Sequence, residues 1–252
     1  MHRASRKKER PLCGGWSLDL TSTDSQGRPW DFDCPDTRRR AEDLLDKTKP
    51  QMLILSPMRT YFSSMMNLAK LGMDPAEFEK RYSRAVDHLK FTFRLIEKQV
   101  AAGRYFLFEH PAHATSWLLD FVIAMAARPG VQRVLAHQCR FGLKGTDQLG
   151  EALVKKPTRF LTNCDAIARK LDRGCCGGHR HANTVGNSAM LRQCAIYPPA
   201  FCQAIVQGLE QQLRSTPDGP RLPRRFPPSP WTTRRIRPMR TTPRSMTPRA
   251  VS

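Results

Sequence analysis

The sequence contains no apolar run of the about 18–20 residues that a membrane-spanning helix requires. The first 12 residues are basic and lack the apolar stretch of a secretory signal. We therefore predict an intracellular protein without membrane contact, with the nucleus among its possible locations. In such a compartment, the eight cysteines are expected to be thiols or metal ligands rather than a disulfide framework.

Acidic residues are also scarce, with 22 Asp and Glu against 42 Lys and Arg, a formal net charge of +20. Such an excess attracts DNA or RNA, because each neutralised phosphate releases counterions. Part of the charge lies in Ser215–Ser252, where arginine and proline abound and Asp218 is the only acid. We predict that this tail is disordered. Two interpretations of the positive charge stay open. It belongs either to a dedicated nucleic-acid site or to a neutral-to-basic domain whose tail binds polyanions nonspecifically.

Between the tails, short uncharged runs alternate with helical stretches, which predicts a parallel α/β sheet with crossover helices. The predicted domain spans residues 13–213, between basic disordered tails at 1–12 and 214–252. The run Gln51–Leu55, bounded by prolines, is typical of a strand buried on both faces. Further strands are predicted at Tyr105–Phe108, Val131–Ala136 and Phe160–Thr162, and further helices at Asp36–Lys47, Ser116–Ala127 and Pro199–Leu213.

The clearest helix is predicted from Asp74 to about Ala102. Asp74 can cap its N-terminus, Pro75 suits the first helical position, and Glu77 completes a pattern like a capping box. Apolar residues then recur every three or four positions until Gly103, which favours a helix packed on a sheet.

In parallel α/β sheets, ligands bind beyond the carboxyl ends of the strands. Ser56-Pro57-Met58-Arg59-Thr60-Tyr61-Phe62-Ser63 follows one predicted strand and is similar to the motif of DNA cytosine-5 methyltransferases in which Pro-Pro-Cys is followed, two residues on, by Phe-Ser. Phe108-Glu109-His110-Pro111, at the end of the next strand, resembles the Glu-Asn-Val site of that family.

Downstream segments resemble a divergent branch of the same family, known from phages and retroelement-like polyproteins. They are Cys139–Gly142, Lys156–Asn163, and a Cys/His cluster followed by a Tyr-Pro-Pro helix start within Cys175–Ile205. The resemblance covers Gly15–Leu209. For the last motif, Gly186-Asn187 and Tyr197-Pro198-Pro199 compete, and the second is preferred because it opens an apolar helix.

The resemblance implies a Rossmann-like S-adenosylmethionine-dependent methyltransferase sheet and a definite chemistry. A cysteine thiolate adds to C6 of a flipped cytosine, and a carboxyl group held against N3 promotes the addition. Glu109 occupies the carboxyl position, and Arg59 stands where the family has its cysteine. A guanidinium stays protonated and has no usable lone pair, so catalysis is predicted to be lost. Arg59 is interpreted either as a drifted residue or as a phosphate contact, and we expect it to pair with Glu109.

The cofactor half is expected to be incomplete, because no strand with a Gly-containing loop precedes Leu12. The resemblance implies that Asp19, in Leu18-Asp19-Leu20, is the second-strand acid that binds ribose. It places Asp31 near the adenine and Pro57 also at the cofactor. The alternatives are a surface acid at a strand end for Asp19 and a turn aspartate for Asp31.

Cys175, Cys176, His179 and His181 form a cluster whose side chains can share a tetrahedral zinc ion, with Cys164 or Cys194 as a possible fourth ligand. The alternative is a Gly-rich loop with exposed histidines.

Three functional hypotheses follow. The first is a degenerate, inactive cytosine-5 methyltransferase-like protein that derives from a mobile element. The second is a basic nucleic-acid-binding protein that uses the arginine-rich tail and the remnant cleft. The third is a truncated gene product without a function of its own.

Overall fold

The computed structural model describes residues 12–63, 66, 72–184 and 188–216. The Gly186-Asn187 candidate, most of both predicted tails and the charge that they carry lie outside the described residues. The helices are α1 (Pro35–Thr48), α2 (Pro75–Ala101), α3 (Asp120–Ala126), α4 (Asp165–Leu171), α5 (Ser188–Gln193) and α6 (Pro199–Ser215). The strands are β1 (Met52–Leu55), β2 (Tyr105–Pro111), β3 (Gln132–His137), β4 (Lys144–Asp147), β5 (Gly150–Leu153) and β6 (Pro157–Thr162).

The main sheet is mixed, with the strand order β1-β2-β6-β3. β1 and β2 are parallel, whereas β6 runs antiparallel to both β2 and β3. The α/β class is therefore confirmed, and the expectation of an all-parallel sheet is wrong. A parallel return would need a crossover to the opposite end of the sheet. Instead, the chain leaves β3, forms the β4–β5 hairpin and re-enters from the same end, so β6 is reversed.

β2 lies at the centre of the core, and the first six of its seven residues are buried. Its alternate side chains face two apolar clusters, as strand geometry requires. Phe106 and Phe108 pack with α2 and α3 on one face. Tyr105 and Leu107 pack with α4 and α6 on the other face.

β1 is an edge of the sheet, and the prediction that it is buried on both faces is wrong. Leu53 and Leu55 contact the cluster formed with α1 and α2, and Met52 contacts the opposite cluster. The side chain of Ile54, however, is 56% exposed. An uncharged run alone therefore did not distinguish an edge strand from a central one.

α2 begins as predicted, because the Asp74 carboxylate accepts a hydrogen bond from the Glu77 N–H at 3.0 Å. Pro75 is its first residue, and Gly103, at φ +66°, follows its end. The predicted helix at Ser116–Ala127 is divided into a 3-10 turn (Thr115–Leu118) and α3. α4, α5 and the β4–β5 hairpin were not predicted.

The strand expected at Leu18–Leu20 is absent from the described part of the chain, where the segment before α1 has no regular strand. This segment is held instead by side-chain packing around Trp30, which joins the cluster of α1 and α2. The guanidinium of Arg40 lies 4.6 Å from the centre of the Trp30 ring. Within the described residues, the sheet thus starts at β1, and the strand that the resemblance implied around Asp19 is not formed.

α4 and α6 cross on one face of the sheet, where Gly208 of α6 meets α4. A Cβ atom at Gly208 would lie 2.8 Å from the Ile167 Cα, which is closer than van der Waals contact permits. Since the obstructing atom belongs to the backbone, it cannot rotate away. The crossing therefore requires glycine at this position.

We predict that Gly208→Ala lowers the free energy of unfolding by about 1–2 kcal/mol. Overpacking costs about 1–3 kcal/mol, and the higher helix propensity of alanine offsets roughly 0.5–1 kcal/mol of it. Urea denaturation measures the change. The control is Gln207→Ala at the preceding exposed position, which should change stability by no more than about 0.5 kcal/mol. Equal stability of the two variants would contradict the close packing of α4 against α6.

Candidate functional site

The carboxyl ends of β1 and β2 lie side by side, because the two strands are adjacent and parallel. Ser56 follows β1 directly, and Glu109 lies near the end of β2. The Ser56 Oγ donates a hydrogen bond to the Glu109 Oε2 at 2.5 Å. The two segments that carry the methyltransferase resemblance therefore meet at the carboxyl ends of these strands, and we refer to this region as the cleft.

Glu109 is only 4% exposed and lies among polar side chains that compensate its charge. The phenol of Tyr197 interacts with both Ser56 and Glu109, and burial, together with the Glu109 charge, raises its pKa. The Lys156 Nζ donates to the Cys194 carbonyl at 2.7 Å and lies 4.9 Å from the centre of the Tyr197 ring. Burial lowers the pKa of Lys156, as does the nearby charge of Arg59, whereas Glu109 opposes this.

Arg59 is exposed and makes no ion pair with Glu109 among the described residues. The expected pairing is therefore wrong, since the Glu109 carboxylate bonds to Ser56 instead. A 3-10 turn (Thr60–Phe62) starts directly after Arg59, and the fully buried Phe62 anchors it. The Arg59 guanidinium thus contributes positive charge at the surface of the cleft rather than filling its interior.

His110, next to Glu109, is a buried and neutral histidine. Its Nδ1 lies 2.7 Å from the Ser116 Oγ, and its ring packs on Phe62 and Phe108. Burial lowers its pKa to about 4, and the Arg59 charge acts in the same direction. The residue therefore does not gain a charge near neutral pH.

Two of the three cofactor candidates, Asp19 and Asp31, form no hydrogen bond with the cleft among the described residues. Asp19 closes its own turn, since its Oδ1 accepts from the Thr21 N–H and hydroxyl at 2.9 and 2.8 Å. Asp31 is a turn residue that accepts from the Asp33 N–H at 2.9 Å and lies near His88 of α2. Among the described residues, neither carboxylate bonds to Glu109. Pro57 does follow β1 within the cleft segment.

A second group of candidate site residues lies beyond the end of β3. One ligand atom from each of Cys139, Cys175, His179 and His181 lies within 4.8 Å of the others. The Cys175 Sγ is 3.5 Å from the Nε2 atoms of both histidines, which are 3.0 Å from each other. A tetrahedron with Zn–S of about 2.3 Å and Zn–N of about 2.0–2.1 Å has S···N and N···N edges of about 3.5 and 3.3 Å. The group could therefore hold a metal ion.

The sequence identified three of these four ligands. The fourth predicted residue, Cys176, lies outside the group, and its exposed Sγ accepts a hydrogen bond from the Arg140 Nη1 at 2.8 Å. Neither expected additional ligand joins: Cys164 is buried near Gln212, and Cys194 belongs to a separate apolar cluster.

Cys139 was not predicted as a candidate ligand, although it belongs to the Cys139–Gly142 motif. No local spacing pattern connects it to the other three residues. Only the position of the turn after β3, beside the loop that follows α4, brings its thiol to them.

The two cysteines of this group differ electrostatically. Burial raises the pKa of Cys139 to about 11, and contact with Cys175 adds to this effect. The Gly177 N–H, which donates to the Cys175 Sγ at 3.4 Å, lowers the pKa of Cys175. A bound dication would favour the thiolate form of both and release protons.

Comparisons of the chain with protein-family models, with curated proteins and with solved structures found no match. Within the residues that the structure describes, no helix combines the length and apolar character needed to cross a membrane.

We predict that His110 makes the fold less stable as the pH falls. Its pKa is about 4 in the folded protein and about 6.5 when unfolded, so between these values the unfolded chain binds the extra proton. The resulting loss is about 3 kcal/mol on acidification from pH 7 to 4. Urea denaturation across this range should show a flatter profile for His110→Asn.

The matched control is His113→Asn, because His113 is exposed and lies three residues away. Its pH profile should run parallel to that of the unmodified protein. Parallel profiles for all three proteins would refute a buried neutral His110.

Proposed function

We propose that this chain is a degenerate cytosine-5 methyltransferase-like protein that no longer transfers methyl groups and that contacts nucleic acid. The observation that carries the proposal is the 2.5 Å hydrogen bond between Ser56 and Glu109. It joins the two segments of the resemblance at the ends of adjacent parallel strands, where ligands of such sheets bind. An origin in a mobile element follows from the branch of the family that the sequence resembles.

The sheet supports this proposal in outline. Its two parallel strands, β1 and β2, carry the two segments of the resemblance at their carboxyl ends, where the ligands of parallel α/β sheets bind. The support is limited to this half of the sheet. The described residues before β1 contain neither the second strand nor a glycine-rich turn that could hold S-adenosylmethionine.

The side chains of the cleft argue against methyl transfer. The reaction requires a thiolate, and Arg59 can only donate hydrogen bonds. Ser56 offers a hydroxyl, which donates to Glu109, in place of a readily ionised thiol, and the raised pKa of the Tyr197 phenol disfavours its phenolate. Glu109 remains the one group that matches the chemistry of the family.

We predict that the purified protein does not incorporate label from S-adenosylmethionine into cytosine-containing duplex DNA. Arg59→Cys should not restore incorporation, because the cofactor half of the site is missing as well. Label above the blank that is lost in Glu109→Ala would overturn the proposal. Rescue by Arg59→Cys alone would instead refute the loss of cofactor binding.

The positive charge favours nucleic acid as the partner, which is also the basis of the alternative function, a basic nucleic-acid-binding protein. Arginines spaced by prolines in the segment after Ser215 can reach successive phosphates without a folded interface. Arg59 adds an exposed charge at the cleft.

We further propose that Cys139, Cys175, His179 and His181 bind one zinc ion in a structural role. The supporting observation is the agreement of their separations with the edges of a zinc tetrahedron. All four positions of the tetrahedron are filled by protein ligands, which is typical of structural rather than catalytic zinc. The ion would tie the turn after β3 to the loop after α4.

We predict one equivalent of zinc in the purified protein, and cobalt substitution should give an absorption band from thiolate-to-metal charge transfer. Cys139→Ser should weaken metal binding by more than tenfold, because even changes outside the ligand shell cost about 10–100-fold. Cys176→Ser is the control and should bind as the unmodified protein does. The metal content of the unmodified protein and of both variants is measured by mass spectrometry. Loss of metal in Cys176→Ser but not in Cys139→Ser would refute this ligand set.

A further inference from the structure

We propose that the metal centre organises a phosphate-binding surface for nucleic acid on the folded domain. This surface, the basic collar, consists of Arg140, Lys155 and Arg173. The inference rests on the proposed zinc binding and gives nucleic-acid contact a location apart from the segment after Ser215. The shared chemistry of its ligands is the phosphodiester backbone of DNA or RNA.

Several cations of α1 and α2 are paired with acids. On α1, Arg39 pairs with Asp36, and on α2, Arg81 pairs with Glu77. Ion pairs also join the two helices. Arg94 and Lys98 of α2 both pair with Glu42 of α1, and Lys98 also pairs with Asp46 of α1. These pairs leave little local field to attract a polyanion.

The region around the proposed metal centre carries an excess of positive charge. Residues 139–181 contain nine Lys and Arg but four Asp and Glu. Three of those acids are already paired with cations of the same region: Asp147 with Arg180, Glu151 with Lys144, and Asp165 with Arg169.

The collar cations are exposed, and none forms an ion pair with another described residue. Asp172, next to Arg173, is the one acid of the region without an ion pair there. The collar therefore presents uncompensated positive charge, which is what a phosphate backbone recognises.

Each collar residue comes from a different segment, and all three segments meet at the metal centre. Arg140 follows Cys139 directly and donates to Cys176 at 2.8 Å. The Lys155 carbonyl accepts from the Gln138 N–H at 2.8 Å, and the Lys155 charge acts on Cys175 and His181. The Arg173 carbonyl accepts from the His137 N–H at 2.9 Å, and its guanidinium lies 5.1 Å from the centre of the Phe141 ring.

The metal would determine how far apart these charges lie. Residues 172–184 contain no helix or extended strand, and isolated bridges at Arg173 and His181 join them to β3 and β5. Cross-linking Cys139 to Cys175, His179 and His181 would fix this loop against the end of the sheet. Two thiolates and two neutral imidazoles balance the charge of Zn²⁺, so the ion would not oppose binding of an anion to the collar.

The test uses the full-length zinc-loaded protein and fluorescence anisotropy with labelled duplex DNA and with an RNA duplex of the same sequence. Arg140→Gln/Lys155→Gln removes two collar charges. The control, Arg39→Gln/Arg81→Gln, removes two exposed charges that are paired on α1 and α2. Metal content of both variants should stay at one equivalent, which confirms that the centre is intact.

We expect the collar variant to bind at least tenfold more weakly and to reduce the salt slope on DNA by about 2, since each lost phosphate contact removes about 0.9. The control should differ less than twofold. Equal weakening of both variants, or no weakening, would overturn the inference and assign binding to net charge or to the segment after Ser215. The DNA and RNA arms show which polymer the surface prefers.

A second arm tests the dependence on metal. Chelation should lower affinity to the level of the collar variant, and added zinc should restore it. Unchanged affinity after verified removal of zinc would refute the metal dependence while leaving zinc binding intact. Purified protein without any stoichiometric metal would refute zinc binding itself, and the inference with it.

Discussion

The reversed direction of β6 is the constraint on which both sites depend. Its first residue, Pro157, lies opposite His137 of β3, and its carbonyl accepts from the Ala112 N–H, directly after β2, at 3.0 Å. The segment that leads into β6 is therefore delivered to the carboxyl ends of both neighbouring strands. A parallel β6 would have placed this segment at the opposite end of the sheet, and neither the cleft nor the candidate metal site would have its present neighbours.

The approach of this segment to the carboxyl end of β2 also explains why Glu109 can remain buried. An uncompensated carboxylate in a core is costly, so it must be supplied with hydrogen bonds or opposite charge. Ser56 provides the direct bond from β1, Tyr197 approaches from the start of α6, and Lys156 arrives with the segment before β6. These groups come from the protein itself. The cleft thus satisfies its own carboxylate without a substrate, which is consistent with the proposed loss of catalysis.

Local sequence patterns predicted the elements whose structure depends on residues close together in the chain. They failed for features that depend on the order and direction of the strands. The Asp74 cap and the apolar spacing predicted α2, since both are properties of a single helix. The uncharged run at β1 could not reveal that no described strand lies on its outer side. The direction of β6 was missed because the β4–β5 hairpin has few apolar residues, so no return of the chain was visible. Cys139 was not predicted as a candidate ligand because no local spacing links it to Cys175, and topology alone brings the two together.

Lys155 and Lys156 show how two neighbouring residues can serve two different sites. Lys156 has a positive φ of 30°, a conformation that costs a non-glycine residue about 1–3 kcal/mol unless its surroundings hold it. The bond from its Nζ to the Cys194 carbonyl and its contact with the Tyr197 ring supply that restraint. The resulting bend directs Lys156 into the cleft beside Glu109, while Lys155 stays exposed next to Cys175 and His181. A change in the loop of the metal centre is therefore expected to reach the cleft through this bend, because the two sites share one short piece of backbone.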